Sequence, residues 1–285
     1  MNTPLVSVLM TAFNREKYIA EAIESVIAST YQNWELIIVD DVSKDRTVDV
    51  AKSYEAKDTR IKVYINEKNL GDYPNRNKAA SYASGKYLKY VDADDMIYPY
   101  GLEQLVFYME QFPDAGYGLC SLAQDEKKIF PFQLSPQEAY RRNHLFGKAP
   151  LSAIINREMF CLVGGFTGKQ HIGDSELWHI LSRKYPVVLM PHGVVWWRKH
   201  DDQQMNDNRT DPFVPFKYLL LKKELINHQE CPLNLSEKKI ILKITEKQIS
   251  RNILKALIRN SLKKALELKR HSCKSWYCIF MDVIF

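Results

Sequence analysis

The chain has 285 residues, a hydrophobic content of 46% and a formal net charge of +6. That length and apolar fraction exclude a disordered or fibrous chain and supply a sizeable core, so one large domain with an appendage is expected. The charge is unevenly placed. Residues 237–285 hold twelve Lys/Arg against four Asp/Glu, a local +8 that leaves −2 for the body.

Five cysteines (Cys120, Cys161, Cys231, Cys273, Cys278) are scattered, odd in number and free of Cys-x-x-Cys or Cys/His zinc spacing. They argue against a disulfide framework and for plain thiols in a reducing compartment. The first residues show no basic-then-apolar leader, and no apolar run approaches the roughly 20 residues that span a bilayer. The expected setting is cytoplasmic.

In chain order, residues 5–10 form a short β-rich apolar run, broken at Thr11-Ala12-Phe13-Asn14-Arg15. Ile19, Ala22, Ile23, Val26 and Ile27 then recur at helical spacing. A strand over 35–40 ends in the turn Asp41-Val42-Ser43-Lys44-Asp45. A helix over about 46–56, a strand over 61–65, a helix near 75–83 and a strand over 87–91 follow. This alternation predicts a parallel, right-handed βαβ sheet. Beyond it, 151–155, 187–190 and 194–197 read as strands, and 174–183 as a helix with Leu177, Ile180 and Leu181 on one face. After Pro215 the pattern turns helical and basic, dividing the chain into an α/β domain (1–212) and a helical basic region (213–285).

Asp92, Asp94 and Asp95 place three carboxylates in four residues, directly after the 87–91 strand. Open α/β sheets collect ligands at the carboxyl ends of strands, and carboxylates this close invite a divalent cation to offset their repulsion. Such a turn suits a metal bound to a nucleoside diphosphate. Asp41, at the end of the second strand, can accept the N3–H of a uracil or thymine ring, while an Asx turn or helix cap is the simpler account of Ser43 and Asp45. Paired aspartates after a strand also open the pocket of phospho-acceptor receiver domains, but such a domain would leave most of this chain unexplained. Gly71 permits a tight turn, and Arg76 either faces a phosphate or base ring or is helix-start polarity.

The order of these pieces resembles family 2 glycosyltransferases of the GT-A fold. The resemblance rests on Val6–Asn14 (VSVLMTAFN), Val39–Thr47 (VDDVSKDRT), Asn69-Leu70-Gly71, Arg76-Asn77, Ala83–Tyr87 (ASGKY) and Asp92-Ala93-Asp94-Asp95. It continues through Gly164-Gly165-Phe166 and Gly173–Trp178 (GDSELW), so it covers about residues 5–200 and omits the tail. It implies a Rossmann-like, mostly parallel central sheet flanked by helices, a nucleotide-sugar donor such as a UDP-sugar, an inverting single displacement and a divalent cation, Mn2+ or Mg2+. It further implies that Asp41 reads the base, that Thr11 and Phe13 line the nucleoside, and that Asp92 serves the ribose and metal side. Asp94 would be the principal metal ligand, Asp95 would share the metal or donor sugar, and Asp174 would be the catalytic base. His200 resembles the histidine that completes the metal site in some members. Gly173 stands where the family carries a glutamate, with Glu176 a candidate substitute. Read without the family, Asp174 is an N-cap of the helix that follows. Arg198 would bind the diphosphate or pair with an acidic neighbour, and Trp178, Trp196 and Trp197 would offer sugar platforms or pack in the core.

In the tail, apolar residues from Ile240 to Leu266 recur at helical spacing with Lys and Arg on other faces, and Trp276–Met281 is aromatic. This suits an anionic membrane surface, while a helical hairpin packed on the catalytic domain is the plainer account. No nucleic-acid-binding module is recognisable. The expected activity is transfer of a sugar to a glycan or lipid-linked acceptor in cell-surface polysaccharide synthesis. The alternatives are a sugar-nucleotide-forming nucleotidyltransferase, which would want a Gly-rich phosphate loop where Thr11-Ala12-Phe13-Asn14 stands, and a non-catalytic nucleotide-sugar-binding module.

Overall fold

The structure, a computed structural model, describes residues 3–122, 130–200, 213–259 and 261–284. It divides into two compact units, Met1–Lys199 and His200–Phe285. The division falls ahead of the 212/213 boundary suggested by composition, and residues 201–212 lie outside the described residues.

The first unit opens with β1 (Val6–Ala12), α1 (Ile19–Ile27), β2 (Trp34–Asp40), α2 (Thr47–Glu55), β3 (Ile61–Ile65), α3 (Asp72–Ser81) and β4 (Tyr87–Tyr90). The stripe on α1 is buried at Ile19, Ala22, Ile23 and Val26. β1 pairs in parallel with β2 and with β4, and β2 with β3. Along these strands Val8, Met10, Leu36 and Ile38 enter one apolar layer, whereas Leu9, Ile37 and Val39 enter another. This period-two alternation buries both faces of the sheet.

The unit continues with β5 (Met96–Ile97), α4 (Gly101–Glu110), β6 (Tyr117–Leu122), β7 (Phe132–Leu134), α5 (Pro136–Arg141), β8 (Ala153–Asn156), α6 (Arg157–Leu162), α7 (Gly173–Lys184), β9 (Val187–Pro191) and β10 (Val195–Trp196). One sheet runs β3-β2-β1-β4-β8-β6-β9-β7, and β5 and β10 form a separate ribbon. β8 is antiparallel to both neighbours, β6 and β9 are parallel, and β7 closes the edge antiparallel to β9. The sequence pattern does not announce β6, whose Gly118 interrupts the apolar run. Its glycine has a packing cause: a Cβ there would lie 2.1 Å from the methyl of Met190. Strand order reverses at β1, with β2 and β3 on one side and β4 on the other, and the carboxyl ends of β1, β2 and β4 share one edge. Ligands of such sheets bind at that reversal.

The second unit consists, among the described residues, of α8 (Val214–Asn227), α9 (Leu235–Ile258), α10 (Leu262–Ser272) and α11 (Trp276–Ile284). Asn234 starts α9 through a capping box: its side chain accepts from the Glu237 amide at 2.9 Å, and the Glu237 carboxylate accepts from the Asn234 amide at 2.9 Å. A small core of Phe216, Ile249, Ile253, Ala256, Ala265, Leu268 and Ile279 holds the helices together. Lys274 pairs with Glu246 at 2.6 Å and also with Asp282. Ile240, Ile244, Leu262, Leu266 and Phe280 remain exposed. Among the described residues no helix is long and apolar enough to cross a membrane.

Candidate active site

The turns that follow the parallel strands are tied together by polar side chains, the β1 turn by Ser43 and Thr47 of the β2 turn. After β2, Asp40 accepts from the Ser43 amide at 2.8 Å and from its hydroxyl, an Asx turn that leaves Val42 between them at φ 67°. A β-branched residue rarely adopts that conformation, so the surrounding bonds over-determine the turn. Asp45 accepts from the Thr47 amide at 3.0 Å, the local role that its sequence suggests.

Asp41 is 3% exposed. Its Oδ1 accepts from the Leu70 amide at 2.7 Å and from Asn66 Nδ2 at 2.8 Å, and its Oδ2 accepts from the Gly71 amide at 2.9 Å. Gly71 makes that turn at φ 81°, a conformation glycine adopts without strain. Asp41 therefore organises the Asn69-Leu70-Gly71 loop, and a carboxylate's lone pairs outnumber these three donors. Thr11 lies near the end of β1 opposite Val39, half-buried, and Phe13 is exposed just beyond.

The β4 turn carries the acidic cluster. Arg76 on α3 donates from Nη1 and Nη2 to the two oxygens of Asp92 at 2.7 and 3.1 Å, and from Nε to Asp72 at 2.7 Å. Its guanidinium is thus engaged by carboxylates on every nitrogen and is held over the Tyr90 ring at 5.5 Å. Arg15, just past β1, donates from Nε to Asp94 at 2.9 Å. Asp95 is buried and accepts from the Arg198 amide at 2.9 Å.

Among the described residues no group of three or more His, Cys, Asp or Glu side chains is arranged to hold a metal ion. Asp92 and Asp94 instead have their charge offset by guanidinium groups. The donor set nonetheless suits a hard divalent cation, which prefers carboxylate oxygens. Burial, reinforced by the neighbouring Asp92 and Asp94, pushes the Asp95 carboxyl up to about 8. His200 is the first residue of the second unit, next after Lys199.

Asp174 lies in the first turn of α7, whose N-cap is Ile172. It is therefore not the N-cap of that helix, the alternative its sequence leaves open. Its Oδ1 accepts from the Ser175 amide at 2.7 Å. Burial raises the carboxyl to about 6; Arg76 opposes the rise and Asp72 adds to it. A carboxyl poised there can gain or lose a proton near neutrality.

Glu176 points elsewhere. It accepts from the Thr167 hydroxyl and pairs with Lys169 at 2.9 Å, so it fastens the preceding loop. Trp178 is fully buried, stacks on Tyr117 at 5.2 Å and donates to the Lys148 carbonyl, leaving no face for a sugar. Arg198 pairs with Glu21 and lies over the Tyr18 ring, as the acidic-neighbour reading expects. Trp196 and Trp197 are partly exposed, at 40% and 37%.

Sequence reasoning missed the extent to which α3 ties these parts together. Asn75 donates to the Val39 carbonyl at 3.1 Å, Arg76 grips Asp92, and Asn77 both donates to and accepts from the Phe166 backbone at 2.7 and 3.0 Å. Gly165 is required beside it, since a Cβ there would lie 2.6 Å from Asn77 Oδ1. The run Asn75-Arg76-Asn77 was the available signal, with three polar residues in a row on a short helix.

Comparison with known proteins places this architecture. The family described as glycosyl transferase family 2 matches residues 7–171. TuaG of Bacillus subtilis (strain 168), which carries a provisional name as a teichuronic acid biosynthesis glycosyltransferase, is 41% identical over 163 residues, 54% of this chain and 63% of that protein. WfgD of Escherichia coli, named as a UDP-Glc:alpha-D-GlcNAc-diphosphoundecaprenol beta-1,3-glucosyltransferase, is 40% identical over 109 residues, 38% of this chain and 42% of that protein. The matched stretches thus span less than two thirds of these relatives. Among solved structures, S. aureus TarS 1-349 in complex with UDP-GlcNAc superposes with a TM-score of 0.68 at 20% identity, covering 84% of this chain and 71% of that one. The mannosyltransferase PcManGT of Pyrobaculum calidifontis, in complex with GDP-Man and Mn2+, has a TM-score of 0.58 at 17% identity, covering 96% and 81%. At these identities the likeness is one of fold.

Proposed function

This chain belongs to glycosyl transferase family 2, and on that premise we propose that it moves a sugar from a UDP-sugar donor to a glycan or lipid-linked acceptor, with inversion, in cell-surface polysaccharide synthesis. One observation carries the reading: the first turn and a half of α3 joins the strand-end carboxylates to the base candidate. Arg76 holds Asp92 directly, and Asp72 and Arg76 set the charge around Asp174. A UDP-sugar donor is supported by the UDP-Glc in the name of WfgD and by the UDP-GlcNAc bound to TarS. The lipid-linked acceptor is supported by the diphosphoundecaprenol in the WfgD name.

Asp174 takes the proton from the acceptor hydroxyl as its oxygen forms a bond to the anomeric carbon. The bond from that carbon to the diphosphate breaks on the opposite face, which inverts the configuration. Asp41 accepts the N3–H of the base, with Thr11 and Phe13 flanking the nucleoside. Asp92 and Asp94, with Asp95 beside them, would hold a divalent cation, Mn2+ or Mg2+, whose charge offsets that of the departing diphosphate. Neither alternative has a comparable anchor: Thr11-Ala12-Phe13-Asn14 is not a phosphate loop, and a mere binding module has no need of a carboxyl poised near neutrality.

Calorimetry of UDP binding to the full chain, in manganese and in chelator, tests the donor side. Binding should strengthen in manganese, and Asp94→Ala should remove that gain without unfolding the protein. Equal affinity in both media sinks the metal role.

The second unit supports a peripheral position on an anionic membrane. It exposes Ile240, Ile244, Leu262 and Leu266 on helices rich in Lys and Arg. The full chain should co-sediment with phosphatidylserine-containing vesicles, less so as salt rises. Equal pelleting with neutral vesicles, or none with either, removes the electrostatic reading.

A further inference from the structure

The residue before Asp174 is glycine, and its backbone is not the reason. Gly173 does not share the positive φ of Gly71, Gly164, Gly165, Gly168 and Gly193. The space is taken by another side chain. A Cβ on Gly173 would lie 2.8 Å from Cε2 of the Tyr73 ring and 2.9 Å from its Cδ2 and Cζ. Real carbons do not approach so closely, so the ring and a side chain at position 173 exclude each other.

Tyr73 is well fixed in that place. It lies in the first turn of α3, is 7% exposed, and packs on Phe166 with ring centroids 5.2 Å apart. Phe166 in turn abuts Tyr90 at 5.9 Å and Phe160 at 5.8 Å, and its backbone is gripped by Asn77 of the same helix. The Tyr73 hydroxyl is within hydrogen-bonding reach of the Asp174 backbone and feels the Asp174 and Asp72 carboxylates. The aromatic ring thus fits against the first residues of α7, while Asp72 and Arg76 of α3 supply the charged groups around Asp174.

We propose that Tyr73 is a positioning residue for sugar transfer: its ring, seated where a side chain at 173 would stand, fixes the pose of the Asp174 carboxyl and keeps water from its apolar side. The inference rests on the reading of Asp174 as the base. It makes Tyr73 and Gly173 one device, a ring from α3 set against a bare backbone on α7. Because Arg76 of the same helix grips Asp92, the device also fixes the base relative to the donor carboxylates.

The test follows the Asp174 carboxyl by carbon NMR in the full chain labelled at aspartate, with Asp174→Asn assigning the signal. UDP release from UDP-glucose and UDP-GlcNAc gives turnover, and UDP binding in manganese serves as the control. Tyr73→Phe keeps the ring and should leave the titration midpoint and turnover near wild type. Tyr73→Ala should admit water, move the midpoint down toward the ordinary range near about 4, and slow turnover on the order of tenfold or more with UDP affinity unchanged. Gly173→Ala presses on the ring from the other side and should move the same signal, which keeps the test alive if Tyr73→Ala does not fold. An unmoved midpoint in Tyr73→Ala or in Gly173→Ala overturns the proposal, as does a Tyr73→Phe variant as impaired as the alanine. Wild-type turnover in Asp174→Asn would instead sink the base itself, an outcome distinct from an inert Asp174→Asn beside an unmoved Tyr73→Ala.

Discussion

On the donor side of the site, Asp92 lies 2.7 and 3.1 Å from the two terminal nitrogens of Arg76, and Asp94 lies 2.9 Å from Arg15. Asp174 instead accepts from the Ser175 backbone and is half-buried, with the Tyr73 ring set against Gly173 just before it. The same residue type is thus held in two ways within one site. A carboxylate gripped by guanidinium has its charge matched by a fixed partner. A carboxyl held by packing, with burial raising its proton affinity, can exchange a proton. On the proposed reading, the difference gives charge pairing to Asp92 and Asp94 and proton exchange to Asp174.

The comparison breaks most sharply at Asp174. Asparagine keeps the size and the bond from Ser175 but cannot take a proton, so Asp174→Asn should lose transfer by roughly 10²–10⁴-fold with UDP affinity retained. On the proposed reading the ionised form is the active base. Transfer should therefore climb with pH up to about 6 and level off above it. Stability moves the opposite way. The folded state holds this proton more tightly than the unfolded chain, so ionisation costs stability as pH rises from about 4 towards 6 and above. The asparagine variant lacks that cost and should melt at or above the wild-type temperature at pH 8. A variant with normal transfer would make Asp174 a helix-start residue and erase the contrast.

Much of this site was legible, and the reason lies in what each residue needs. Asp92, Asp94 and Asp95 follow an apolar strand directly, so strand geometry alone places them at the sheet's ligand-binding edge. Asp41 shares that logic. Their partners were not legible, because the pairings cross long stretches of chain: Arg15 reaches Asp94 over 79 residues, and Asn77 reaches Phe166 over 89. Arg76 looked like a group for a phosphate or base, yet its environment turns it towards Asp72 and Asp92. Gly173 was visible as a departure from the family pattern, but its cause, the Tyr73 ring, required coordinates. In the sheet, the apolar runs of β1 and β2 announced themselves, whereas β6 hid behind Gly118, against which the Met190 side chain of the neighbouring strand packs.

The contrast sharpens, with a smaller effect, at Arg76. If its task is to pair Asp92 and Asp72, then Arg76→Ala leaves two carboxylates close together with their shared cation gone. Breaking such a pair costs about 3 kcal/mol, or roughly 6–12 °C in melting temperature for a unit of this size. The side chains of Asp92 and Asp72 are 23% and 25% exposed, so water recovers part of their solvation and keeps the loss towards that lower bound. Arg76→Lys keeps the charge but not the fork that reaches three oxygens, and should melt between the two. Manganese-dependent UDP binding should weaken in step with these losses, because Asp92 is no longer held in place. The diphosphate reading of Arg76 makes the opposite forecast: an Arg76→Ala protein that melts like the wild type yet binds UDP far more weakly. Melting and calorimetry on the two variants decide between an arginine that holds a carboxylate and one that holds the donor.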